Sequence, residues 1–514
     1  MNRCAYRAIL FYFSKAIDFF ENRFIMSTRR NHLERGEHIM LEKNKQLRTS
    51  LTEGPLLGKI LKFSLPLMAT GILQTLYNAA DMIVVGRFSD NGSFAMGAVG
   101  SCGSLINLMV NLFTGSSVGA GICVAQAVGA GREEDVKHTV HTSALTGLIC
   151  GIFVGILGFL LSEPILLLMG TPKDILVEAV PYMQAYFVGM PAMLVYNFLA
   201  AALRSSGDTK RPLIFLSIAG LINVVFNIIM VAVFGMGAVG VGIATTVSQY
   251  ASALMIVIYM CRYRGICRLS IKEIKIHKPC LLAIIRNGLP AGLQGVVFSL
   301  SNVIVQSSIN SFGPEVVTGN SAAANIEGFI YIAMNSLYQT AITFVGQNIG
   351  AGKIERVKKI ALVTVAVVTV TGGVLEALCL LFKEQLLLIY VHETDKVVEA
   401  LVINAGLKRM DFICTTYLVC GVMEVLCGVV RGMGRSLLPT LVSIFGSCLL
   451  RIAWVYMVCP FAPDSIELLY IAYPVTWIIT SVGHLISCIW GYRSIKRERD
   501  LRLSAERESV AVGG

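Results

Sequence analysis

The chain has 514 residues, of which 55% are hydrophobic and 15% charged, with a mean hydropathy of +0.69. A soluble globule carries about 25% charged residues, so this composition argues against a soluble enzyme or binding module. The formal net charge is +11, but the cations sit in short loops between apolar runs and form no basic face, which argues against a nucleic-acid partner.

Residues 1–50 contain an aromatic patch, ILFYFSKAIDFF, and a charged run, STRRNHLERGEH, with no cleavable leader pattern. An amphipathic arm lying on the membrane fits them. Sequence upstream of a start at Met40 fits them better. Beyond this stretch, apolar runs of about twenty residues recur, each long enough to cross a hydrocarbon core of ~30 Å at about 1.5 Å per residue. Gly, Pro and charge divide them into twelve helices near 57–86, 94–128, 139–162, 176–203, 212–234, 238–261, 281–310, 321–349, 358–382, 398–430, 437–458 and 466–491. The second and eighth are too long for one straight span. The expected fold is an all-α integral membrane protein. The fourteen cysteines lie mainly in the spans with no CxxC pair, so they read as small apolar side chains rather than metal ligands.

Lys and Arg crowd onto one set of alternating loops: around Lys59, Arg132, Lys210, Arg268, Lys353, Arg431, Arg435 and the tail. The opposite loops hold few, among them Arg87, Lys173, Lys383, Lys396, Lys408 and Arg409. The positive-inside rule then puts both termini in the cytoplasm of a plasma (inner) membrane protein and requires an even number of spans.

The chain also repeats. VAQAVGAGREEDVK at 124–137 matches VGQNIGAGKIERVK at 345–358, with Gln126 over Gln347. LRSSGDTKRP at 203–212 matches VRGMGRSLLP at 430–439, and Pro66 in FSLPLMATGILQ falls over Pro290 in NGLPAGLQGVVF. The chain therefore reads as two parallel six-helix repeats around a central cavity. The expected parts are a cytoplasmic segment 1–55, an N-terminal lobe 56–262, a cytoplasmic linker 263–280, a C-terminal lobe 281–491 and a cytoplasmic tail 492–514. Substrate sites in such proteins lie between the halves near the midplane.

The duplicated Q-x-x-G-A-G-[RK] motif, the L-R-x-x-G-D-T-x-x-P loop and the stretch PLMATGILQTLYNAADMIVVGR together resemble the multidrug and toxic compound extrusion (MATE) transporters. The resemblance covers about residues 55 to 490. It implies a secondary active exporter of amphipathic, cationic organic compounds, working by Na⁺ or H⁺ antiport with alternating access. The Gly-Ala-Gly loops lack a G-x-x-x-x-G-K-[ST] motif and read as tight turns with helix caps, so no ATP and no cofactor is expected. The partners expected are a small-molecule substrate and membrane lipid, with the chain a monomer. A lipid-linked oligosaccharide flippase of related architecture is the alternative, and would place several cations in its cavity. An integral membrane enzyme would need clustered catalytic groups, which the spans do not show.

Polar residues inside the spans are the candidate site. A carboxylate within hydrocarbon costs roughly 2.5–3.5 kcal/mol on insertion scales, so it is retained for a reason. Gln74, Asn78 and Asp81 share one face of the first helix, with Tyr77 at its border. Asn223 and Asn227 reach a similar depth on the fifth helix, near Thr245 on the sixth. A cluster of oxygens there suits Na⁺ or a shuttled proton. The resemblance implies that Pro66 is a helix bend, that Asp81 is the coupling carboxylate, and that Tyr77, Asn223 and Thr245 assist it. Asn227 stands where some members have an aspartate, which leaves H⁺ and Na⁺ both open. In the second half Val305 replaces an Asp81 equivalent, and Phe298 lies where certain members carry a coupling glutamate. Asn302, Gln306 and Asn310, with Tyr331, Asn335 and Gln339, form neutral stripes that either line the cavity or hold helices together. Glu424 is a further cavity candidate, alternatively paired with Arg451. Glu376 and His484 are weaker candidates, alternatively near helix ends, and Glu327 reads as near the outer end of the eighth helix.

Overall fold

The computed structural model describes residues 51–89, 92–391, 395–462 and 464–512, with the side chains of 92–94, 104, 502–503 and 505–512 left aside. The expectations for residues 1–50 lie outside these. Among the described residues every element is helical. The spans are α1, Leu56–Phe88; α2, Gly92–Gly129; α3, Glu133–Leu168; α4, in two pieces, Lys173–Val188 and Met190–Ser205; α5, Lys210–Val233; α6, Gly237–Arg262; α7, Lys278–Asn310; α8, Pro314–Gly350; α9, Ile354–Leu381; α10, Lys396–Gly432; α11, Leu437–Phe461; and α12, Ile466–Val512. A short helix, Lys383–Tyr390, joins α9 to α10. Ten of the spans are long and apolar enough to cross a membrane alone, and the bent pair forming α4 makes eleven. The twelfth, α8, has 37 residues, but its Asn, Gln and Glu side chains keep it less apolar. It compensates by burial: nearly every residue from Ala333 to Asn348 is shielded by neighbouring helices.

The sequence explains the ends of these helices. In both Gln-x-x-Gly-Ala-Gly loops the last glycine has positive φ, Gly131 at 69° and Gly352 at 70°. This left-handed residue lets Arg132 N–H reach Ala127 O at 3.1 Å and Lys353 N–H reach Asn348 O at 2.9 Å. Otherwise orphaned carbonyls are thereby satisfied, and both turns are glycine C-caps. The duplication extends to irregularities. α4 breaks at Gly189 with a 45° bend, and α10 breaks at Cys414–Thr416, the matching position of the second repeat. α5 and α11 each contain a π-helical turn, Ile228–Val233 and Ile444–Leu449. α12 continues well past the expected end of its span, because residues 492–512 contain no Gly or Pro and many helix formers.

The three larger apolar cores divide between the halves, and two small ones, Ile122 with Ile342 and Ala120 with Ile284, bridge them. One cluster gathers α8 to α12, including Phe344, Val368, Met410, Val430 and Tyr470. Two others lie in the first half, around Leu199 and Ile256 and around Met183 and Val241. α1 belongs to both halves. Ile60, Phe63 and Leu67 join the second-half cluster, Phe63 edge-on to Phe344 at 5.5 Å, whereas Val84 and Val85 pack in the first half. Pro66 lies inside the unbroken α1, between these two allegiances.

The most extensive helix contact joins α2 to α7. It depends on glycine: a Cβ on Gly115 would lie 2.5 Å from Gly292 Cα, and one on Gly119 would lie 2.4 Å from Gly288 N. The segment between α6 and α7 is fastened to α3. Lys137 pairs with Glu273 at 2.8 Å, and the His138 and His277 rings stack at 3.7 Å. Ser270 N–H donates to His141 Nε2 at 3.0 Å, and His277 N–H to Thr142 Oγ1 at 3.1 Å.

Candidate functional site

α1, α5 and α6 bring the expected first-half residues together. Asp81 is half-buried and accepts a hydrogen bond from Asn227 Nδ2. The same amide donates to Asn223 Oδ1 at 3.2 Å, and Asn223 Nδ2 donates to Thr245 Oγ1 at 3.3 Å. The four side chains thus form one chain of hydrogen bonds linking three helices. The i, i+4 spacing of Asn223 and Asn227 puts both amides on one face of α5. The π-helical turn begins directly after Asn227, a position such turns often take beside functional groups.

Donors run short in this cluster. Asn227 is fully buried, and its Oδ1 finds no partner. Both Asn227 amide protons are used, one of them on Asp81, so its own Oδ1 is left a surplus acceptor beside the carboxylate. A buried acceptor without a donor costs about 1–3 kcal/mol. A proton or a small cation supplies what is missing, and oxygen ligands of this kind suit Na⁺.

Tyr77 joins the same pair of helices but not the carboxylate. Its hydroxyl donates to Ser217 O at 3.2 Å, and its ring lies so close to Gly220 that a Cβ there would fall 1.9 Å from it. Tyr182 and Tyr186 on α4 come within electrostatic range of Asp81. Sequence reasoning missed them; their i, i+4 spacing was the available signal. Gln74 and Asn78, on the Asp81 side of α1, are exposed.

The second-half candidates separate into two groups. On α8, Gln339 Nε2 donates to Asn335 Oδ1 at 3.0 Å, and half-buried Glu424 of α10 lies within electrostatic range of Tyr331 and Tyr338 of the same helix as Gln339. Asn302 is exposed. Gln306 is drawn away into another network: it donates to Asn310 at 2.9 Å and accepts from Asn320 Nδ2 at 3.3 Å. Asn320 in turn accepts from Arg409 Nη1 at 2.8 Å and from the Tyr470 hydroxyl at 3.3 Å.

That network, and the partners of the other deep charges, correct several expectations. Arg409 is not a loop cation and Glu327 is not at a helix end. They form a buried two-point ion pair, Nε to Oε1 at 3.0 Å and Nη2 to Oε2 at 2.7 Å, with 7% and 3% of each residue exposed. Glu424 and Arg451 form no ion pair. Arg451 lies over the Tyr473 ring at 4.2 Å and donates to Thr476 Oγ1 at 3.3 Å, because an arginine can use an aromatic face and a hydroxyl in place of a carboxylate. Arg431 is also buried rather than in a loop, donating to the Tyr338 hydroxyl, to Gln294 Oε1 at 2.8 Å and to Thr440. Glu376 and His484 are buried too, His484 Nε2 lying 3.0 Å from Ser443 Oγ.

A model of the MatE family matches the sequence twice, over residues 66–229 and 290–457, more than half of its length. The chain belongs to the MatE family. The two matches begin at Pro66 and Pro290, the pair that the repeat aligns. Among curated relatives of this MatE chain, the probable multidrug resistance protein YoeA of Bacillus subtilis (strain 168) is 26% identical over 437 residues, which is 84% of this chain and 92% of the relative. The probable multidrug resistance protein YpnP of the same strain is 28% identical over 403 residues, 78% of this chain and 88% of the relative. The fold is that of solved MatE relatives. An outward-facing multidrug resistance MATE family transporter of the MOP superfamily superposes with a TM-score of 0.79 at 19% identity, covering 88% of this chain and 98% of the other. This MatE chain is therefore a multi-pass membrane transporter by family, built from two six-helix repeats.

Proposed function

We propose that the chain is a secondary active multidrug exporter of the plasma (inner) membrane, with both termini cytoplasmic. It exchanges amphipathic, cationic organic compounds for Na⁺ or H⁺, its two lobes opening alternately to each side. The observation that carries this reading is the acceptor-rich cluster Asp81–Asn227–Asn223–Thr245, with Asn227 Oδ1 unpartnered. A cation or proton entering there satisfies the unpartnered oxygen and the carboxylate and draws α1 towards α5 and α6. Glu424, which has neither an ion-pair nor a hydrogen-bond partner among the described residues, supplies negative charge in the second half for a cationic substrate. Tyr331 of α8 lies within electrostatic range of it, and Asn335, Gln339, Gln74, Asn78 and Asn302 supply polar wall. The multidrug names of the relatives agree with this reading.

The test is efflux of a cationic dye from proteoliposomes, with Na⁺ and pH gradients imposed separately. Asp81→Asn keeps the shape and hydrogen bonding of the side chain but cannot ionise. It should insert and fold normally and lose gradient-driven efflux. Efflux by Asp81→Asn at the wild-type rate under both gradients would refute the proposal.

A further inference from the structure

The repeated Gln-x-x-Gly-Ala-Gly loops do more than end two helices. Gln126 Nε2, in the first repeat, donates to Gly432 O in the second at 3.1 Å. Gln347 Nε2, in the second repeat, donates to Ser205 O in the first at 2.8 Å. The acceptors correspond as the donors do: each is the residue after the repeated arginine, Arg431 and Arg204, and each is the last residue of its span. The glycines are equally reciprocal. A Cβ on Gly129 would fall 1.9 Å from Gln347 O, and one on Gly350 would fall 2.0 Å from Gln126 O. Gly434 leaves the space that Gln126 fills, since a Cβ there would lie 2.9 Å from Nε2.

We infer that Gln126 and Gln347, with Gly129 and Gly350, are a two-sided latch that closes the loop-bearing end of the transporter and must release in each cycle. Three features distinguish it from passive packing. First, each bond crosses from one repeat to the other. Second, the hydrogen bonds between α2 and α7 go no further from these loops than Asn111 Nδ2 to Ser299 Oγ at 3.2 Å, among the described residues, so the closure belongs to one end. Third, both acceptors are carbonyls at helix C-termini, which have no partner within the helix. When the lobes part, water takes the place of the glutamine amide on an acceptor of this kind, so release strands no backbone group. The latch rests on the alternating-access reading above, in which that end is cytoplasmic.

The experiment reads lobe separation directly. Spin labels are placed on cysteines introduced at Glu134 and Lys359, one beyond each loop, in the full chain freed of its native cysteines, and distances are measured in nanodiscs. The unmodified latch should give a predominant short distance. Gln126→Met with Gln347→Met keeps side-chain length and removes both donors. It should raise the long-distance population on the order of fivefold per lost bond. Gly350→Ala leaves both glutamines in place and should produce the same shift by blocking the approach. If the double variant does not fold, the single variants Gln126→Met and Gln347→Met decide, each expected to give an intermediate shift. Distances unchanged in the glutamine variants and in Gly350→Ala overturn the latch. Because the readout needs no gradient, it stands apart from the coupling test. A shifted distance with Asp81→Asn still active retains the latch and removes the coupling proposal. An unshifted distance with Asp81→Asn inactive does the reverse.

Discussion

Replacing Glu327 by Gln should be among the most destabilising single changes in the second half of the molecule. The carboxylate holds Arg409 at two points, 3.0 and 2.7 Å, and both residues are almost wholly buried. With charge centres about 4 Å apart and an effective dielectric of about 20, the attraction is about 4 kcal/mol. Glu327→Gln leaves the Arg409 charge buried with Asn320, Tyr470 and Tyr473 as its remaining neighbours. Stranding one partner of a buried pair costs about 3–5 kcal/mol, a fall in Tm on the order of 10 °C. Arg409→Met should cost a similar amount for the opposite reason. The double variant Glu327→Met with Arg409→Met removes both charges and should recover most of the loss. The assay is a thermal scan followed by fluorescence-detected gel filtration in detergent, with all four proteins of the cycle. Strictly additive losses would show that the two charges do not act as a pair. Glu424→Gln is the internal control: it strands no partner and should shift Tm by no more than about 2 °C.

Gly220→Ala places a methyl 1.9 Å from the Tyr77 ring, so it should force α1 from α5 and impair efflux as Asp81→Asn does; Tyr77→Ala in the same chain should restore room and part of the activity. The fastening of the 268–277 segment should depend on pH. Burial and the stacked His138 hold the His277 imidazole below its usual 6.5, with Glu134 opposing this weakly. The neutral form is thus favoured when docked: its stabilisation is complete above pH 6.5 and lost as pH falls through the lowered value. Hydrogen exchange across 268–277, corrected for intrinsic pH dependence, should therefore rise between pH 7.5 and 5.5; a fall would contradict the assignment. For orientation, single cysteines at Glu134, Asp208 and Glu355 should react with an impermeant maleimide only from the cytoplasm, and one at Pro314 only from outside. Asn91, a further outside position, lies beyond the described residues. Outside labelling of both Glu134 and Glu355 would invert the topology.

The first-half cluster was legible because it rests on periodicity. Asn223 and Asn227 are one turn apart, and counting residues from each helix end placed them level with Asp81. The second half resisted the same reasoning. Arg409 follows Lys408, and two adjacent cations between apolar runs look like a loop. Neither is in one: both lie inside α10, where Lys408 pairs at the surface with Glu467 at 2.9 Å while the next residue turns inward. Its partner Glu327 is distant in sequence, and nothing local announces it. Gln306 and Asn310 showed the polar spacing of a cavity wall, yet the spacing cannot say which neighbour the face meets. The break in α4 is written in Gly189 and Pro191. The break in α10 has neither glycine nor proline, and only alignment with its repeat would reveal it.

The limited apolarity of α8 bears on how the protein is made. A helix leaves the ribosome before the helices that follow it, and α8 carries Glu327 while Arg409 is still 82 residues from being translated. At about 5–20 residues per second, that interval is roughly 4–16 s. During it, α8 reaches the insertion machinery with an acid that has no counter-charge and with less apolar surface than the other spans. The arrival of α10, which brings Arg409, removes the cost of that unpaired acid, so the pair favours joint entry of several helices of the second repeat over entry one at a time.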